Sequence, residues 1–215
     1  MNSQIVEMQK HYAEILQEIN IRVDAINHSL NGGVDLSAPF LVEFCYLQIR
    51  MICELVALGC LVVHGDIAGK KLEKHWSADD IMKKLQELHP QFYPIAVRRV
   101  QVGVGFALRK SDPQPLIKDE FLKLYGKLGD SLHRGSLRRL LKPTTTHQEN
   151  FPQVMKKLQG LMDMMSGHVM LPASGKISIL CTLRRLANQI QPEVAVVEHD
   201  TPINYNDPEF LSSIF

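Results

Sequence analysis

The chain lacks most of the short motifs that announce a chemistry. Its nine histidines include no HExxH and no pair at i, i+4, and they form no ligand pattern, so the sequence predicts no metal site. There is no GxSxG, which excludes the nucleophile-elbow hydrolases, and no P-loop. "VGVGF" (residues 102–106) misses the third glycine and the following helix of a dinucleotide fingerprint, and no cofactor is expected. The four cysteines, Cys45, Cys53, Cys60 and Cys181, contain no CxxC and no disulfide framework. Three of them fall in one apolar segment, where cysteine behaves as a small buried hydrophobe. The opening "MNSQIVEMQKHYAEIL" is too polar for a signal peptide, and a reducing cytoplasm is the expected location. Repeats and low-complexity tracts are also missing, and a net charge of +1 spread over 215 residues gives no overall polyanion-binding surface.

What is present is uneven. From Arg98 to Lys142 eleven Lys/Arg face four Asp/Glu, a local balance of +7. Residues 1–60 hold three basic and seven acidic side chains, and residues 186–215 hold five acids with no Lys or Arg. This asymmetry has two readings: an anionic ligand near the middle segment, or a solvated face.

Hydrophobic periodicity predicts the elements. Ile5, Met8, Tyr12, Leu16, Ile19, Val23 and Ile26 have helical spacing, and "NGG" at 31–33 supplies a stop. Residues 37–65 are apolar nearly all round, with Ser37 as cap, Pro39 in the first turn and Gly65 at the end, so a buried central helix is expected. A membrane span is disfavoured because Glu43, Arg50 and Glu54 would each cost a few kcal/mol in lipid. "HWSADDIMKKLQELHP" reads as a helix capped by Ser77, with Asp79 and Asp80 at its positive end and Pro90 as its stop. Its Trp76 reads as core rather than as a base-stacking platform. Val97, Val100, Val102 and Val104 favour strand, giving a hairpin or an irregular loop. A helix begins at Asp119 with Phe121, Tyr125, Leu128 and Leu132 on one stripe. "SLRRLLKP" is a short helical piece, and "NFPQVMKKLQGLMDMMSG" is a further helix. "HVMLPASGKISILCTL" predicts two strands around a Ser-Gly turn, Arg184 to Gln189 a short helix, and "EVAVVEH" a third strand. The fold class is therefore α+β, mainly α: a bundle of four or five helices at 1–167, a small antiparallel β-rich appendage at 168–200 and a tail at 201–215.

Two constellations could carry chemistry. Glu43, Arg50 and Glu54 share one stripe of the apolar helix, and Arg50 and Glu54 are spaced to pair. They form either a structural salt bridge that orients neighbouring helices or an anion site, since the guanidinium fork suits phosphate. In "YGKLGDSLHRGSL" (125–137), Gly126, Gly129 and His133 share a helical face. Two glycines in a helix interior imply that something must come close, whether a partner helix or a ligand. Asp130 stands three residues before His133, within reach to orient it. Arg134, Arg138 and Lys142 recur every four residues with Arg139 beside them, a basic ridge if the helix continues. A histidine beside such a ridge suits general acid–base work on an RNA phosphodiester, with arginine offsetting charge on the phosphorane.

"LQIRMICELVALG" followed by "YGKLGDSLHRGS" resembles the HEPN superfamily of prokaryotic helical proteins, in its uncharacterised branches, over residues 38–165. Their Arg…Glu helix and Tyr…Leu-Ser…His-Gly/Pro signature fall here on Arg50, Glu54, Tyr125, Leu128, His133 and Gly135. The resemblance implies a homodimeric helical bundle with the histidine helix near the dimer cleft. It also implies a metal-independent ribonuclease or RNA-binding protein of a defence or toxin–antitoxin system, partnered by RNA or a cognate antitoxin. On this reading His133 is the acid/base, with Asp130 beside it. Arg50 and Arg134 hold phosphate, Glu54 orients Arg50, and Lys127, Arg138, Arg139 and Lys142 guide RNA. Two positions depart from the family pattern: Lys127 stands where active members carry arginine, and Gly129 where serine is expected. The alternative is a non-catalytic interaction and dimerisation module with a structural Arg-Glu-His cluster.

Overall fold

A computed structural model describes residues 3–65, 67, 77–132, 147–186 and 189–202. The fold is α+β and mainly helical, with five α-helices and one five-stranded antiparallel sheet among the described residues. Helix α1 (Ser3–His28) runs into a π-helical turn at Ser29–Gly33, where the "NGG" segment ends it. Helix α2 (Ala38–Val63) is the apolar segment, α3 spans Ala78–Leu88, α4 Lys118–Leu132 and α5 His147–Ser166. Ser37 and Ser77 occupy the N-cap positions but make no side-chain cap hydrogen bond, contrary to expectation.

The core is built around α2. Ile49, Ile52, Cys53, Ala57 and Cys60 have no exposed surface beyond 1% and pack in one cluster with Tyr12, Leu16 and Ile19 of α1. Met82 and Leu85 of α3, Phe121 and Leu128 of α4, and Leu161 and Met165 of α5 complete that cluster. Each Ile, Leu, Phe or Met side chain so withdrawn from water contributes roughly 1.5–3 kcal/mol, so the helix's near-uniform apolarity is accounted for by helices on several sides. Helix α2 is long and apolar enough to cross a membrane, yet most of its apolar window is buried within the protein. Glu43 is exposed and does not join Arg50 and Glu54.

The sheet runs β2-β1-β3-β4-β5, with β1 Ile95–Val102, β2 Gly105–Lys110, β3 Gly167–Met170, β4 Ile177–Leu186 and β5 Gln189–Glu198. Side chains alternate by face: Ile179 and Cys181 join the helical core, while Leu180 lies with Val97, Leu108 and Val169 on the other side. Gly103 (φ +59°) turns β1 into β2 and Gly175 (φ +67°) turns β3 into β4, conformations that glycine alone adopts freely. At the far margin, Gln9 of α1 donates from Nε2 to the Val194 carbonyl of β5 at 3.1 Å.

One expectation is corrected. In the run Arg184–Gln189, where a short helix is expected, Arg184–Leu186 and Gln189 are strand. β4 continues to Leu186, with Arg184 opposite Gln191 and Leu186 opposite Gln189, because the cross-strand ladder overrides the helical propensity of "LRRLA". The sheet also takes in the 95–110 segment and shares the helical core. β1 pairs with β3 through Ile95–Val169 and Ala96–His168, and Met170, Ile179 and Cys181 sit in the same core as α2.

Asn20 on α1 is 3% exposed, and neither atom of its amide has a protein partner. A buried amide with no partner carries its full desolvation cost. Replacing it with an apolar side chain of similar volume (Asn20→Leu) is expected to raise stability by about 1–2 kcal/mol, read as a higher urea midpoint with unchanged slope. A lower midpoint would refute it.

Candidate functional site

Helix α4 meets α2 along the stripe that carries Phe121, Tyr125 and Leu128, all buried. One turn beyond Tyr125 lies Gly129. Facing them from α2 are Arg50 and Glu54, each side chain 22% exposed. The four groups close on one another. Arg50 Nε stands 3.4 Å from Glu54 Oε1, and Arg50 Nη2 donates to the Tyr125 phenolic oxygen at 2.8 Å. The Tyr125 hydroxyl in turn donates to Glu54 Oε1 at 3.1 Å, and Arg50 Nη1 reaches the Tyr125 main-chain carbonyl at 3.5 Å. The Arg50 guanidinium also lies over the Tyr125 ring, 4.1 Å from its centroid, in cation–π geometry. Burial pushes the Tyr125 phenol above its ordinary pKa, and the Glu54 carboxylate pushes it the same way against the pull of Arg50. The phenol therefore remains a proton donor across the neutral range.

Glycine at 129 is what lets Arg50 in. A Cβ built there would stand 2.5 Å from Arg50 Nη1. Gly126 differs: a Cβ there would meet nothing within 4 Å among the described residues. Each glycine costs about 1 kcal/mol relative to alanine in a helix interior. Arg50 accounts for the first; among the described residues none accounts for the second.

The other face of α4 borders a cavity of about 650 Å³ between α4 and α5, with Tyr46 of α2 among its walls. Lys127 and Asp130, expected near the histidine, line this cavity with Lys123 and Gly126. Across it, Lys157 of α5 is paired with Glu120, whose carboxyl that lysine holds below the usual range. The structure therefore joins Arg50 to Glu54 and sets Lys127 and Asp130 apart from them. His133, Arg134, Gly135, Arg138, Arg139 and Lys142 lie outside the described residues, as does Trp76. The described part of the helix brings Arg50 against Gly129, four residues before His133 in the chain. No group of three or more His, Cys, Asp or Glu side chains converges for a metal among the described residues.

Two buried histidine arrangements carry no local sequence signal. Tyr12 Oη and His168 Nε2 form a hydrogen bond of 2.6 Å between α1 and β3. His64 Nε2 bonds the Phe92 carbonyl at 3.0 Å, His89 Nε2 bonds the Leu171 carbonyl at 2.7 Å, and the two rings stand 5.3 Å apart. These partners are distant in sequence, so only the tertiary fold reveals them.

No protein-family model, curated protein or solved structure matches the chain.

Proposed function

We propose that this chain is an HEPN-like RNA-acting protein in which Arg50, Glu54 and Tyr125 brace helix α4 rather than hold substrate. One observation carries the reading: three side chains singled out by the resemblance, from segments more than 70 residues apart, form a closed group of two hydrogen bonds and an ion pair. The brace fixes the helix that leads into the basic stretch from Lys127 to Lys142. Arg134, Arg138, Arg139 and Lys142, with Lys127, receive the RNA backbone. In the catalytic form of this reading His133 is the acid/base, Arg134 offsets phosphorane charge, and no metal takes part. The chain acts as a cytoplasmic homodimer of a defence or toxin–antitoxin system, held in check by a cognate protein partner. The second copy sits on the exposed apolar stripe of α2, where Phe40 is 61% and Leu47 46% exposed. Gly129 supplies no dimer seam, because Arg50 covers it.

A specific observation also favours the non-catalytic module. The guanidinium of Arg50 is already engaged by Tyr125 and Glu54, and active-type members carry arginine where this chain has Lys127. The test is a labelled single-stranded RNA titrated with the full chain in EDTA, with sedimentation of the same sample to read assembly. RNA binding is expected to weaken about tenfold or more between 50 and 200 mM salt, as counterion release requires. Cleavage lost in His133→Ala supports the ribonuclease form, and salt-sensitive binding without cleavage supports an RNA-binding form. Absence of both removes the RNA reading and leaves the interaction module.

A further inference from the structure

The cavity between α4 and α5 is not used by the Arg50 brace, and its construction points to a ligand. Its volume of about 650 Å³ falls within the range of small-molecule sites. The apolar part of its wall comes from Tyr46, Leu124 and Val154, each at most 6% exposed. Lys123 and Lys127 stand one helical turn apart on the same wall, on either side of Gly126. Neither makes an ion pair among the described residues, in contrast to Lys157, which is tied to Glu120. Gly126 is an independent sign. It bares the backbone of a helix interior, with no atom of the described residues within 4 Å of where its Cβ would be, which leaves room for a bound body to lie flat on the helix.

We infer that this cavity binds a small amphipathic monoanion, such as a carboxylate with an aliphatic or aromatic body. The apolar part lies against Gly126, Leu124 and Val154, and the charged head meets Lys123 and Lys127. The charge of the lining decides between classes. Among the described lining residues three lysines stand against Glu120 and Asp130, a surplus of one positive charge, which suits a single negative head and not a polyphosphate. A purely inorganic anion would leave the apolar wall unused. This site shares Lys127 with the RNA reading but requires neither His133 nor a nucleic acid.

The test uses anilinonaphthalene sulfonate, an aromatic monoanion, with the full chain at neutral pH. Saturable binding at one site per chain is expected, displaced by octanoate and not by inorganic phosphate at equal concentration. Lys123→Gln combined with Lys127→Gln should weaken binding about tenfold or more. Gly126→Leu, which fills the space over the helix, should abolish it. Circular dichroism and thermal melting of each variant confirm folding, and the lysine pair carries the test should the leucine variant not fold. Absence of saturable binding overturns the proposal. So does binding that the folded variants leave unchanged, or displacement by phosphate as effective as that by octanoate.

Discussion

Lowering the pH from 7 to 5 is expected to remove about 4 kcal/mol of folding stability, roughly 2 from each of two histidines. His168 and His64 are both fully buried. Burial holds each near pKa 4; at His64 the His89 ring lowers it further, while the bond to the Phe92 carbonyl opposes the shift. An unfolded imidazole titrates near 6.5. Between pH 6.5 and about 4 the unfolded chain therefore binds protons that the folded chain refuses. The stabilisation is fully present above about pH 6.5 and is lost progressively as the pH falls toward 4. Glu87 and Glu120, held low by Lys84 and Lys157, lose their contributions at lower pH still. Urea midpoints at pH 7 and pH 5 measure the effect. His168→Leu should reduce stability at pH 7, because it breaks the bond to Tyr12, yet roughly halve the dependence on pH. A wild-type midpoint that does not move between the two pH values would refute the argument.

Arg50→Ala is expected to cost about 2–3 kcal/mol. It removes an ion pair, the bond to the Tyr125 phenolic oxygen and the contact with the Tyr125 ring. It also leaves the Glu54 carboxylate in a partly covered position with only the Tyr125 hydroxyl. Arg50→Lys should recover little, because an ammonium cannot span Glu54 Oε1, the phenolic oxygen and the main-chain carbonyl together. The cleaner evidence is a cycle with Gly129. In the wild type, Gly129→Ala sets the helix gain of about 1 kcal/mol against displacement of Arg50, and stability should fall or stay level. In the Arg50→Ala background the obstruction is gone, and the same substitution should stabilise. Gly126→Ala, with open space around it, should stabilise in both backgrounds. Equal gains from Gly129→Ala in the two backgrounds would show that the arginine does not need the glycine.

The parts of this fold legible in the sequence are those set by local pattern. The apolar α2 segment, the stripe of α4 and the Ser174–Gly175 turn all follow from period and turn chemistry. The Arg50–Glu54 pair is visible from a spacing of four residues, and Gly129 could be read as a point of close approach. What approaches it could not, because Arg50 arrives from a helix 79 positions earlier. The run from Arg184 misled because leucine and arginine favour helix, whereas a ten-residue partner strand decided the outcome. The α4–α5 cavity left no trace at all. Lys123, Gly126 and Lys127 look like an ordinary solvated face until Val154 is brought opposite them. Likewise Tyr12 and His168 meet only because α1 lies across the sheet.

Strand β5 closes the sheet with ten residues, rich in valine, and with Pro192 opposite Leu183 of β4. Proline has no N–H to offer an incoming strand, and two residues on, the Val194 carbonyl is already taken by Gln9. A bare valine-rich margin of this length would invite edge-to-edge stacking into fibres. Here the invitation is withdrawn at two consecutive outward positions of this edge, which opposes strand addition along β5.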